Sequence, residues 1–315
     1  MKLISENILH RHPENPILRP ADFPGADAVF NCGQTLYKGK PLLLVAVVLK
    51  GQPTPRMHVA ESENGIHFTI RKEPLVTRSN KFEYYDTWPI DPRITYMANE
   101  DTYYIMRPAN SASGCCAILG KTRDFETYEE IEIIALPNNR VPSLFPEKIN
   151  GLYARLDRPY SLIDDPHNQP QMGHIWISFS PDLVYWGRHR LLLTPWTHWN
   201  RVKIGPTPPI KTKDGWLVII HGVGVSCSGQ RYHIGAMLLD LNDPTRLIGK
   251  MESYLLAPDT EYEFMGRVPN VVFPCGAIGE PEKDLLRVYY GGADTCINLA
   301  TGSLSEVVEA CKKGL

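Results

Sequence analysis

The chain has 315 residues, of which 43% are hydrophobic and 22% charged, and a formal net charge of −2. That balance is ordinary for a globular protein and excludes a general affinity for nucleic acid or anionic membrane. Residues 1–8 hold no apolar segment of signal-peptide length, and the longest apolar run, Pro41 to Leu49, is too short to span a bilayer, so a cytoplasmic protein is expected. The first strands expected along the chain are VFNCGQ (29–34) and LLLVAVV (42–48), followed by MHVAESENGIHF (57–68), in which a polar turn joins two extended segments. The same order returns as DPRITY (91–96), YYIMRPA (103–109) and CAILGKTRDFETY (116–128). A third pass gives SLFPEKI (143–149), LYARLDRP (152–159) and WISFSPDLVYW (176–186). A fourth gives KIGPTPPI (203–210), WLVIIHGV (216–223) and GAMLLDLNDPTRLI (235–248). The fifth gives VPNVVFP (268–274), LRVYYGGAD (286–294) and CINLATGSL (296–304), before SEVVEACKKGL, which reads as a short C-terminal helix.

The turn residues Ser62, Thr122, Ser180, Asn242 and Thr301 are spaced by 60, 58, 62 and 59 residues. Four short strands per unit and five units in register describe an all-β, five-bladed β-propeller, read as one domain over residues 1–315. A two-sheet sandwich with accidental repetition is the competing architecture. The seven cysteines are scattered without CxxC spacing, which suggests reduced thiols rather than a disulfide frame or a zinc site. The histidines show no metal-ligand spacing either, and no cofactor is expected.

The first strand of each blade lines the channel of a propeller, and strand ends ring its mouth. The first strands offer Asn31, Asp91, Lys148, Lys203 and Asn270 at matched places, and the second strands end in Arg107, Arg158, His221 and Asp294. Each has a plain structural reading on its own: a turn cap for Asp91, or a partner of Arg93 two residues on; a local ion pair for Arg158; a core histidine for His221. Their shared placement gathers them at one mouth, as a binding site would. The balance is several cations to few acids. A hydrolytic glycosidase needs two carboxylates, whereas an Asp among basic groups suits an anionic second substrate such as inorganic phosphate, which attacks without a base.

DFPGADAVFNCG (22–33), RMHVAES (56–62), IDPRIT (90–95), LFPEKINGLYARLDRP (144–159), KIGPTPPI (203–210) and YYGGADTCINLA (289–300) together resemble glycoside hydrolase family 130. The resemblance implies a five-bladed propeller acting on β-mannosides, in most members as an inverting phosphorylase that releases α-mannose 1-phosphate. It also implies Asp91 as catalytic acid, passing its proton through the mannosyl 3-hydroxyl, with phosphate held by Arg140, Arg158, Lys203 and His221. Asn31, Arg56 and Asp294 fall on sugar-binding positions, and Glu147, Tyr85 and Glu263 are further sugar-binding candidates. Two stretches depart from the family pattern. Trp88-Pro89-Ile90 precedes Asp91 where many members carry a glutamate, and Arg140-Val141-Pro142-Ser143 lacks a polar residue often found after the arginine.

The expected partners are therefore a β-mannoside, weakly favoured as β-1,2-linked, and phosphate as co-substrate, with a homo-oligomer allowed. Three other functions stand beside this one. The first is a β-mannosidase using water, with Glu147 or Glu263 as base. The second is a mannosyltransferase with a nucleotide-sugar donor. The third is a non-catalytic carbohydrate-binding propeller in which Tyr84, Tyr85, Trp88, Trp196 and Trp199 stack on sugars.

Overall fold

The structure, a computed structural model, describes residues 7–79, 81, 87–161, 172–227 and 229–314. Its first strand, β1 (His10–Arg11), belongs to the last blade and is taken up below. The first blade is β2 (Ala26–Tyr37), β3 (Lys40–Leu49), β4 (Gln52–Glu61) and β5 (Thr69–Val76), paired in that order. The second is β6 (Arg93–Met97), β7 (Thr102–Ser111), β8 (Gly114–Thr122) and β9 (Glu129–Ala135). In the third, β10 (Asn139–Leu144) pairs with β11 (Tyr153–Ser161), then come β13 (Ile175–Ser180) and β14 (Gly187–Leu193). A two-residue strand, β12 (Met172–Gly173), lies between β11 and β15 (Lys203–Pro206) and joins the third blade to the fourth. The fourth blade continues with β16 (Ile210–Lys211), β17 (Trp216–Ser226), β18 (Gly229–Leu239) and β19 (Leu247–Lys250). A single helical turn, α1 (Glu261–Phe264), leads to β20 (Val272–Pro274), β21 (Ile278–Glu280), β22 (Leu285–Gly292) and β23 (Cys296–Ser303), and helix α2 (Leu304–Lys313) closes the chain. This is the five-bladed propeller with its short C-terminal helix.

Why these strands read as continuous apolar runs follows from where their two faces go. Along β3, Leu42 and Leu44 pack with Ile94, Tyr103 and Ile105 of the second blade. The alternate residues Leu43, Val45 and Val47 pack with Tyr289, Ile297 and Leu299 of the fifth. Side chains alternate across a strand, so a middle strand of a blade feeds two seams at once and tolerates no polar face. The other three seams are filled in the same manner, by Met106, Leu119 and Leu144 between blades two and three, by Leu156, Ile177 and Trp216 between three and four, and by Ile219, Leu238 and Val288 between four and five.

The repeated turn is held by side chains. The hydroxyls of Ser62, Thr122 and Ser180 accept from the amides of Gly65, Phe125 and Leu183 at 2.8, 2.9 and 2.8 Å. The next carboxyl or amide, Asn64, Asp124 or Asp182, then accepts two further backbone N–H groups. In the fourth blade that second role falls to Asp240, which accepts from the amides of Asn242 and Asp243, so Asn242 is not the equivalent residue. In the fifth, Ser303 rather than Thr301 carries the hydroxyl, and it accepts from Glu306 as the N-cap of α2. The same hydroxyl that opens a turn elsewhere opens a helix here.

One inner strand lies earlier than the sequence suggests. In the third blade it is Asn139–Leu144, not the segment around Lys148. Lys148 instead sits 4.2 Å from the Tyr153 ring centroid. The chain closes by pairing β1 antiparallel to β23, His10 opposite Thr301 and Arg11 opposite Ala300, so the N-terminal strand completes the last blade.

Candidate active site

The inner strands bring their polar residues to the axis through irregularities in the ladder. In β2 the register shifts between Phe30 and Gly33, and Asn31 there has φ of 43°. In β10 it shifts between Arg140 and Ser143, around Val141 at φ 55°. Asp91, just before β6, has φ of 52°, and Asp294, in the turn after β22, has φ of 49°. A bulge re-aims the side chain beside it, and Asn and Asp tolerate the left-handed region better than most residues. The result is a cavity of about 230 Å³ lined by Asn31, Asp91, Arg140, Arg158, Lys203, His221 and Asp294, with Tyr232 and Phe273 among its apolar walls.

Its charges are divided between two walls. On one, the Asp91 carboxyl is 4% exposed; Oδ1 accepts from Asn31 Nδ2 at 2.8 Å, and Oδ2 lies 3.5 Å from Arg140 Nη2. Arg93 does not reach that carboxyl. Its Nη1 donates to the Asp91 backbone carbonyl at 2.6 Å, which frees the acid from the neighbour two residues away. Asp294 completes this wall; burial first, and then the charge of Asp91, push its carboxyl up to about 7.

Arg140 and Arg158 stand directly opposite each other on β10 and β11 and begin the other wall. Like charges so placed repel unless an anion lies between them. Burial, and next the charge of Arg140, lower Arg158 to about 10. Arg158 Nη1 lies 3.2 Å from His221 Nε2. Burial and then Arg158 hold His221 far below its ordinary value, so its Nε2 accepts from the guanidinium and Nδ1 carries the proton. That Nδ1, with the Nε atoms of Arg140 and Arg158, is buried without a hydrogen-bond partner. Lys203 is lowered to about 7, by burial first and then by Arg158 and Arg140. Three donors with nothing to bind, beside a lysine that gives up its proton near neutrality, describe a wall built for an anion.

Seven sequence-predicted residues thus meet in one cavity; among the described residues the others do not. Arg56 is exposed on β4 and donates to Gln52 Oε1 at 3.1 Å. Glu147 is taken by Lys211 at 2.6 Å. Glu263, expected at the sugar, is 0% exposed and receives Arg11 at 2.9 and 2.8 Å and the Tyr290 hydroxyl at 2.7 Å, so it serves the packing of the last blade. Arg107 is buried against Glu130, and Trp196 and Trp199 pack with the core between the third and fourth blades. Tyr84 and Tyr85 lie outside the described residues. Sequence reasoning passed over Tyr232 and Phe273. Phe273 stands 4.7 Å from the His221 ring centroid, and the Tyr232 ring is stacked on the same imidazole at 6.2 Å. Among the described residues no group of three His, Cys, Asp or Glu is placed to hold a metal ion.

The sequence profile of glycoside hydrolase family 130, described as β-1,4-mannooligosaccharide phosphorylase, matches residues 9–313. The chain belongs to this family. It is 34% identical to the β-1,4-mannooligosaccharide phosphorylase of Ruminococcus albus, over 98% of this chain and 92% of that protein. It is 35% identical to the 1,2-β-oligomannan phosphorylase of Thermoanaerobacter sp., over 82% of this chain and 81% of the relative. Among solved structures it resembles the β-1,2-mannobiose phosphorylase of Listeria innocua in complex with β-1,2-mannobiose, with a TM-score of 0.85 at 31% identity, covering 97% of this chain and 99% of that one.

Proposed function

We propose that this family 130 member is an inverting β-mannoside phosphorylase. Hydrogen phosphate attacks C1 of a terminal β-mannosyl group, the glycosidic C1–O bond breaks, and α-mannose 1-phosphate and a free acceptor sugar leave. One observation carries the reading: a single cavity of about 230 Å³ gathers four basic side chains, Arg140, Arg158, Lys203 and His221, beside Asn31, Asp91 and Asp294. Water would need a carboxylate to activate it. Among the described residues the carboxyls lining the cavity are Asp91, the proposed acid, and Asp294; no carboxylate is paired with Arg158, Lys203 or His221, and Glu147 and Glu263 are engaged elsewhere. Phosphate needs no base, and each charge-assisted hydrogen bond to it contributes roughly 1.5–3 kcal/mol. Asp91 supplies the proton to the glycosidic oxygen, through the mannosyl 3-hydroxyl as in the family scheme. The phosphate ester formed at C1 returns a proton as it leaves as the dianion, so the enzyme ends as it began.

The test is product analysis with β-1,2- and β-1,4-mannobiose, with and without phosphate. α-Mannose 1-phosphate formed only in the presence of phosphate is expected. Asp91→Asn is expected to lower kcat by about 10²–10⁴, the range of general acid catalysis. Free mannose released at the same rate without phosphate would overturn phosphorolysis in favour of hydrolysis. Reverse synthesis from α-mannose 1-phosphate and mannose, followed by linkage analysis, separates β-1,2 from β-1,4 specificity.

A further inference from the structure

We propose that Asp91 and Asp294 hold one proton between them and that Asp294 is its resting holder, making it the proton-keeping partner of the acid. The proposal rests on the phosphorolysis reading for its catalytic meaning, though not for the protonation itself. Both side chains line the same cavity with Asn31, whose Nδ2 donates to Asp91 Oδ1 at 2.8 Å. Both are carried on left-handed backbone, at φ 52° and 49°. Two carboxyls lining one cavity of about 230 Å³ repel when both are charged, which favours a proton on one of them.

Which one keeps it follows from their neighbours. The charged form of Asp91 is satisfied by the Asn31 amide and by Arg140 at 3.5 Å. Asp294 makes no ion pair within 4 Å among the described residues. Arg140 and Arg267 favour its charged form from a distance, the charge of Asp91 opposes it, and the neighbouring Tyr232 and Cys275, both pushed up by burial, are neutral near pH 7. Burial and Asp91 accordingly raise its carboxyl to about 7, against a usual value near 3.8.

This arrangement answers how an aspartate beside an arginine acts as an acid at neutral pH. When the mannoside enters, the proton stored on Asp294 is shared with Asp91 and the sugar hydroxyls. It passes to the glycosidic oxygen as C1–O breaks and phosphate oxygen bonds to C1. The pair is then left with two negative charges. It takes a proton back from the phosphate ester before the product departs, so one proton leaves with the acceptor and one is returned.

The experiment compares the full-length wild type, Asp294→Asn and Asp91→Asn, with kcat measured across the pH range at saturating phosphate and mannoside. Asp294→Asn copies the shape of the neutral acid but holds no transferable proton. The wild type is expected to lose kcat as pH rises through about 7. Asp294→Asn is expected to lose that alkaline limb and to fall about tenfold or more at its acid plateau, and Asp91→Asn to lose about 10²–10⁴ of kcat across the range. If Asp294→Asn raised only KM for the mannoside and kept the wild-type alkaline midpoint, Asp294 would be a sugar ligand and nothing more. Infrared spectroscopy of the ligand-free enzyme gives a readout independent of any reaction. A carboxylic C=O band present at pH 6, fading above neutrality and missing from Asp294→Asn, is expected, and its absence from the wild type would sink the shared proton. If no β-mannoside yields mannose 1-phosphate while that band is present, the phosphorolysis reading fails and the shared proton stands.

Discussion

At the scale of single residues, the cavity's chemistry depends on groups held away from their ordinary protonation states. Lys203 falls from an ordinary 10.5 to about 7 because its half-buried ammonium is largely desolvated, and because Arg158 and Arg140 stand beside it. A bound phosphate supplies the opposite charge and pulls the value back up. At pH 8 the empty site is therefore mostly neutral at Lys203, and phosphate binding draws in a proton. At pH 6 the lysine is already charged, and binding draws in almost none. Calorimetry in two buffers of different ionisation enthalpy is expected to record this uptake at pH 8 and to lose it in Lys203→Met. Arg158→Met removes a guanidinium and strips His221 Nε2 of its donor, so KM for phosphate is expected to rise about ten- to hundredfold, with KM for the mannoside little changed. The sequence could announce Lys203, Arg158 and His221 because a charged or imidazole group inside an apolar strand is conspicuous. Tyr232 and Phe273 could not be singled out, since an aromatic in a strand is the commonest core residue and only the fold shows these two flanking His221.

At the scale of elements, the glycines on the inner and second strands decide how closely blades approach the axis. A Cβ built on Gly205 in β15 would overlap the ring of His221 on the paired strand β17 and crowd Val141. Gly205→Ala is therefore expected to displace the imidazole and weaken phosphate binding while the fold survives, seen as a raised KM for phosphate with an unchanged circular dichroism spectrum. Replacing Gly187, whose added Cβ meets nothing within 4 Å, serves as the neutral control. Elements were legible in the sequence wherever two signals coincided, an apolar run and a hydroxyl-led turn. The strand order of the first two blades follows directly from them. The third blade was read about four residues late because SLFPEKI is apolar enough to imitate an inner strand. The irregular stretch Arg140-Val141-Pro142-Ser143, which forms most of it, carries a Pro and a bulge that no periodicity reveals. Arg140 was accordingly reachable by family resemblance and not by the repeat. The fourth turn is offset by four residues for a related reason: Asp240 takes the part of Asn64, so Leu238 stands where Ser62 carries its hydroxyl, and Asn242 and Asp243 offer competing turn formers just beyond.

At the scale of the whole molecule, a ring of blades has one weak place, the joint where the chain ends meet. Here the joint is the fifth blade, whose outermost strand is the N-terminal β1 and whose other flank carries α2. Two backbone pairings, His10 with Thr301 and Arg11 with Ala300, would hold such a strand poorly by themselves. The Arg11 side chain adds a second attachment: it donates to both oxygens of Glu263 and to the carbonyl of Ala257 at 2.6 Å. Glu263 is fully buried and also accepts from the Tyr290 hydroxyl and the Asp259 amide, so it fastens β1, α1 and β22 at one point. Truncating Arg11 leaves that carboxylate buried with its charge uncompensated, a change that typically costs about 3–5 kcal/mol. Arg11→Ala is expected to lower the urea midpoint by a corresponding amount. Combining it with Glu263→Gln is expected to recover part of the loss, because the double variant no longer buries an unpaired charge. The same pair separates the joint from the chemistry. If Glu263 acted as a base or bound the sugar, Glu263→Gln would abolish turnover at any temperature. With its oxygens committed to the joint, the variant is expected to keep wild-type kcat well below its melting transition and to fail only as the ring opens.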